Sequence, residues 1–217
     1  MTLRADLYFS FRSPYSYLAI GRYRTMSEEY DLAIALKPVY PLAIRQPDFF
    51  ERNHPNWLGY TLRDMMRVAQ FHGIPFAGPR PDPIVQDMAT RRIAAEQPYI
   101  YRITRLGQAA SRRGVGLAFA HEAAQLIWGG ATNWHEDDHL AGAAERAGLD
   151  WCDVAVEAAD DADALDTEIA ANQAALEAAG HWGVPTLVFD GEPFFGQDRI
   201  EMVQWRMEQK GLTRRHD

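Results

Sequence analysis

Near the start of the chain Ala5, Leu7, Phe9 and Phe11 alternate with Asp6, Tyr8 and Ser10, a period of two with aromatic enrichment that predicts a strand. Ser13-Pro14 follows at once. A hydroxyl residue before a proline opens a helix, because Ser13 can accept from an orphan backbone N–H and Pro14 has none to lose. The helix is expected over 14–30, with Leu18, Tyr23 and Met26 on one face. Leu32, Ile34 and Leu36 then alternate again until Pro38 and Pro41 close the run, giving strand, helix, strand with a parallel pair.

The pattern changes after Pro41. Residues 41–55 lack a sustained period and read as a loop with apolar anchors around Phe49-Phe50. Leu58, Leu62, Met65, Met66 and Ala69 recur at helical spacing until Gly73 and Pro75. Further helices are expected over 84–97, 98–113, 116–128, 136–147, 152–159 and 165–179, on alanine-rich composition and glycine punctuation. Alternation returns at the end: Thr186 to Phe189 is a strand, Asp190-Gly191 a turn and Pro193 to Phe195 its return. Gln197 and Asp198 then open an amphipathic helix carrying Ile200, Val203 and Met207.

Composition narrows the function. The 217 residues are 47% hydrophobic and 24% charged, ordinary for one sizeable globular unit or a compact unit with a large insertion. A formal net charge of −8 argues against a nucleic-acid partner, and Arg91-Arg92 and Arg112-Arg113 read as solvated helix faces. The sole cysteine, Cys152, permits no intrachain disulfide and no C-x-x-C pair, and is expected as buried or half-buried filler. The start MTLRADLYFSF has no apolar signal region and no run of about 18 apolar residues occurs, so no membrane partner and a cytoplasmic setting are expected. His135-Glu136-Asp137-Asp138-His139 satisfies H-E-x-x-H, but Thr132 and Asn133 before its acidic centre suit the first turn of a solvated helix better than a zinc face. No metal is expected.

The order strand, helix, strand, helical block, hairpin, helix is that of an α/β thioredoxin-like fold with a large all-helical insertion. Residues 1–40 and 179–217 would form the thioredoxin-like domain and 41–178 the inserted one. The strings DLYFSFRSPYSYLA and GHWGVPTLVFDGEPFFGQDRIEMV resemble those of the 2-hydroxychromene-2-carboxylate isomerases and the related kappa-class glutathione transferases, in the DsbA-like branch of thioredoxin folds. The resemblance implies that Ser13 and Ser16 stand where redox relatives carry cysteines, and that Ser13 donates to the sulfur of bound glutathione at a helix N-terminus. It implies a cis bond before Pro185, with the Val184 backbone meeting the cysteinyl part of glutathione, and a γ-glutamyl site at Gln197 and Asp198. Asp198 alone would also serve as an ordinary N-cap, and Arg199 beside it equally faces solvent.

For a second, aromatic carboxylate substrate the resemblance points to the region around Asn53, with Arg52 and Trp57 as neighbours. As residues, Phe49, Phe50 and Trp57 read equally as core anchors and Arg52 as a surface charge. The activity implied is a glutathione-dependent isomerase acting on a conjugated aromatic acid, with a homodimer expected. The alternatives are a kappa-like transferase that releases the conjugate and a non-catalytic thioredoxin-fold protein that binds peptides or acts as a chaperone.

Overall fold

A computed structural model describes residues 2–49, 53–54, 56–87 and 92–215. Strand β1 (Leu3–Phe9) and helix α1 (Pro14–Glu29) lead to β2 (Leu32–Pro38), which pairs with β1 in parallel from Leu3↔Leu32 to Phe9↔Pro38. At the other end of the chain β3 (Thr186–Phe189) pairs antiparallel with β1 and with β4 (Glu192–Phe195), giving the order β2-β1-β3-β4. Helix α9 (Ile200–Glu208) closes this half. The C-terminal ends of β1 and β2 and the N-terminal end of β3 therefore share one edge of the sheet. Ser13 and Pro185 both stand at that edge.

Between β2 and β3 the chain is helical: α2 (Leu42–Arg45), a 3-10 turn at Pro47–Phe49, α3 (Asn56–His72), α4 (Pro98–Arg112), α5 (Gly116–Trp128), α6 (Asp137–Arg146), α7 (Trp151–Asp160) and α8 (Ala162–Ala178). One continuous apolar cluster joins this stretch to the sheet, from Leu7, Phe9, Leu18 and Leu36 to Ile103, Leu106, Phe119 and Trp134. Tyr8, Val39 and Leu176 form a smaller cluster on the opposite side of β1. Asp166 on α8 binds Arg105 of α4 at 2.6 and 2.8 Å and accepts from Tyr40 at 2.5 Å. Burial works to raise its pKa, but those hydrogen bonds prevail and hold the carboxyl below its ordinary range.

The structure corrects several expectations. The first strand ends at Phe9; Phe11 is fully buried but lies in the following turn, packed edge-on against Phe9 and Phe119. No helix occupies the described residues of 84–97. There the side chain of Gln97 takes the place of a neighbouring strand, accepting from Val85 N and donating to the carbonyls of Val85 and Ala94, while Gln86 bridges to Ile93. Residues 41–49 carry the short helical turns α2 and Pro47–Phe49 in place of a plain loop.

Cys152 is exposed, because α7 turns Val154 and Ala158 inward and the cysteine lies off that face. Arg112 and Arg113 are exposed as expected but bind Glu157, Asp161 and Glu168 across α4, α7 and α8. His135 precedes α6 and lies outside it, so the two histidines of H-E-x-x-H do not share a helical face. Among the described residues no helix is long and apolar enough to cross a membrane.

Candidate functional site

Ser13 is the N-cap of α1, in extended backbone (φ −89°, ψ 115°), with Pro14 in the first helical turn. Its Oγ accepts from Ser16 N at 3.2 Å and reaches Val184 O at 3.4 Å. The first turn itself carries no acidic side chain, and its positive dipole end favours an anion. Ser16 is fully buried and its hydroxyl has no partner among the described residues.

Val184-Pro185 is a cis peptide bond, as the resemblance implies. The loop that presents it is fixed from both sides. Gly183 N donates to His181 Nδ1 at 2.9 Å, and Thr186 Oγ1 donates to Gly183 O at 2.7 Å. A Cβ on Gly183 would stand 2.6 Å from the Phe195 ring, so only glycine lets that ring stack on His181, with centroids 4.1 Å apart. The Val184 N–H donates to no described residue.

Gln197 and Asp198 lie in a turn before α9, not at its cap: the helix starts at Ile200, and Arg199 holds the N-cap position without a side-chain capping bond. Gly196 N binds Pro185 O at 2.9 Å, which ties this turn to the cis-proline loop. A φ of +108° and an approach of 2.5 Å between a built Cβ and Asp198 Oδ1 make Gly196 obligatory there. The Asp198 carboxylate pairs with Arg199 at 2.7 Å, and its charge raises the pKa of both Tyr15 and Tyr23, after burial as the main cause. The turn thus lies over α1. Ser13, Val184, Pro185, Gln197 and Asp198 come together at one edge of the sheet.

The second-substrate residues do not join them directly. Asn53 Nδ2 donates to Phe49 O at 2.8 Å, and Trp57 meets the Phe49 ring edge-on at 6.3 Å. Phe49 in turn lies 5.3 Å from Trp182, two residues before Val184. These aromatics therefore reach the cis-proline loop through Trp182, and Arg52 lies outside the described residues.

The residues around Ser13 hold a set of long-range anchors that local sequence did not reveal. Phe11 O accepts from Trp128 Nε1 at 3.0 Å, and the Phe11 ring covers Gly107, where a Cβ would stand 2.6 Å away. Arg12 binds both oxygens of Asp82 at 2.5 and 2.7 Å and lies over the Trp128 ring. Tyr15 donates to Asp64 at 2.6 Å and Tyr17 to Pro75 O at 2.5 Å. Phe11 and Arg12 share Trp128, Arg12 also holds Asp82, and Tyr15 and Tyr17 reach Asp64 and Pro75, so four residues around the serine are fastened to the stretch between β2 and β3. That stretch fixes the pitch and position of the α1 N-terminus.

Residues 4–208 match the family described as the DSBA-like thioredoxin domain. The chain belongs to that family. Among solved structures it is similar to a 2-hydroxychromene-2-carboxylate isomerase, at 23% identity over 96% of each chain and a TM-score of 0.70. A probable DsbA oxidoreductase from Streptomyces coelicolor matches at 16% identity over 95% of this chain and 89% of that one, TM-score 0.67. The cytosolic disulfide reductase DsbM from Pseudomonas aeruginosa matches at 17% identity over 96% and 97%, TM-score 0.64, and its structure with GSH at 15% over 96% and 98%, TM-score 0.60. No protein among the curated sequences compared matches the chain. These likenesses establish the DsbA-like thioredoxin fold, shared by isomerases and disulfide oxidoreductases.

Proposed function

We propose that this protein is a glutathione-dependent isomerase of a conjugated aromatic carboxylic acid. The observation that carries the reading is Ser13 Oγ at the N-terminus of α1, 3.4 Å from the Val184 carbonyl at a cis proline, in a chain with one cysteine, itself exposed and remote in sequence. One similar structure is named a disulfide reductase and another a probable DsbA oxidoreductase, but this chain, with a single cysteine, has no C-x-x-C pair for thiol–disulfide exchange.

The residues present fit glutathione. The free Val184 N–H and its weakly engaged carbonyl offer the two bonds an extended peptide makes to a strand edge. Gln197 and Asp198 offer an amide and a carboxylate for the α-carboxylate and α-ammonium of the γ-glutamyl end. When bound, glutathione would supply a thiolate that adds to the conjugated carbon of the acid and is later expelled, so it is regenerated. The Ser13 hydroxyl, whose proton points to Val184 O at 3.4 Å here, would turn that proton to the sulfur once glutathione takes the carbonyl, and the helix N-terminus favours negative charge there. Phe49, Trp57 and Trp182 offer aromatic surface for the acid beside the loop. A homodimer and a cytoplasmic setting belong to the same proposal.

Isothermal titration with reduced glutathione tests the reading, and saturable binding is expected. Absence of heat with glutathione refutes it and leaves a peptide-binding role. Product analysis with electrophilic aromatic acids then shows unchanged glutathione after many turnovers; its stoichiometric loss would mark a transferase.

Affinity should also fall in acid. Burial lowers the His181 pKa, and the Gly183 N–H pointing at Nδ1 requires the neutral ring. A base whose folded pKa lies below its ordinary value of about 6.5 gives its full contribution above that value and loses it as pH falls through the lowered one. Glutathione binding by the wild type is therefore expected to weaken as pH falls through the lowered His181 pKa, while His181→Asn, which keeps an acceptor that cannot be protonated, flattens that limb. Identical pH profiles for the two proteins would remove His181 from the account.

A further inference from the structure

Arg22 stands on α1, two turns beyond Tyr15, with its side chain about three-quarters buried. Its Nη1 donates to the Gln197 carbonyl at 2.8 Å and lies 3.5 Å from His72 Nε2 on α3. The nearest carboxylate, Glu201 on α9, is 3.9 Å away and almost wholly exposed, so that pair contributes little. The cation is thus committed to one main-chain oxygen. That oxygen belongs to the turn that presents Gln197 and Asp198.

The turn has few other restraints. Gly196 N is held by Pro185 O, and Arg199 N makes a long bond of 3.3 Å back to Gly196 O. Among the described residues Asp198 pairs only with its exposed neighbour Arg199. A charge-assisted bond to a carbonyl, half-buried between three helices, is the strongest fixed link between this turn and α1. Its loss frees the turn to move away from the helix that carries Ser13.

We infer that Arg22 is a positioning residue that sets the Gln197–Asp198 turn against α1 and thereby governs recognition of the γ-glutamyl group. The inference rests on the glutathione reading. It assigns the discrimination between glutathione and shorter thiols to a residue that touches neither. His72, packed on the same guanidinium, keeps Nε2 as an acceptor there, and burial lowers its pKa ahead of the charge of Arg22.

Cysteinylglycine separates this role from a general structural one, because it keeps the thiol and the segment that meets Val184 but lacks the γ-glutamyl group. Titration of both ligands into wild type, Arg22→Met and Arg22→Lys is the experiment. The wild type is expected to prefer glutathione, and Arg22→Met to cut that preference about tenfold, the worth of one charge-assisted bond, while binding cysteinylglycine within about twofold of wild type. Arg22→Lys keeps a cation in reach of the carbonyl and should recover part of the preference, and it carries the test if the methionine variant fails to fold. Equal loss on both ligands, or no change in their ratio, overturns the inference while leaving the glutathione reading intact. Failure of the wild type to bind glutathione refutes that reading, and this inference with it.

Discussion

Replacing Ser13 by alanine lowers kcat/KM by about 10²–10³-fold, the usual cost of removing one preorganised donor to a developing or resident anion. The protein remains folded. Ser13 Oγ also caps α1 through Ser16 N, and losing such a cap costs about 1 kcal/mol, a shift of about 2–4 °C in a chain of this size. Activity and stability therefore separate: the kinetic loss is several times larger than the cap alone accounts for. The same variant should bind glutathione with a higher thiol pKa than wild type, read by the ultraviolet absorbance of the thiolate. A Ser13→Ala protein with full activity would show that the hydroxyl serves only as a cap.

Phe11→Ala carries the largest expected loss of stability. The ring is fully buried between Phe9, Phe119 and Gly107, and its removal leaves a cavity that Gly107, lacking a side chain, does nothing to fill. Truncating a buried phenylalanine costs about 3–5 kcal/mol, which corresponds to about 6–20 °C in thermal midpoint. Because Phe11 is two residues before Ser13, the folded fraction should also bind glutathione less tightly. Calorimetry gives the first effect and titration below the transition the second. A midpoint within 2 °C of wild type, about the shift that 1 kcal/mol produces, would show that α4 and α5 close over the gap.

Both predictions bear on how the helical stretch and the sheet share one site. The order of elements was legible in the chain because its period switches from two to 3.6 and back, and because glycines and prolines mark most of the switches. Legibility failed where a side chain substitutes for backbone. Gln97 ties Val85 to Ala94 in an arrangement that no periodicity announces, and the alternation runs on through Phe11 although the strand ends at Phe9 and the ring is buried between Phe9 of the sheet and the helices carrying Gly107 and Phe119.

The same holds for the site. Ser13 at the helix start was readable from one dipeptide, and the proline loop with its hairpin from a short string. The pairs that position them were not. Arg12–Asp82, Tyr15–Asp64 and Arg22–Gln197 span 70, 49 and 175 residues, and each looks locally like a surface charge or a helix-face aromatic. An acidic residue before an apolar run has the appearance of a cap, yet the cap position of the last helix belongs to Arg199, one residue after Asp198.

The central claim is that the N-terminus of α1 and Ser13 stabilise the thiolate of a bound thiol. Titration of the thiolate absorbance of glutathione, free and saturated with protein, measures that directly. The account predicts a bound pKa well below the ordinary thiol value of about 8.5, and its return toward that value in Ser13→Ala. A bound thiol with the pKa of the free one would contradict it.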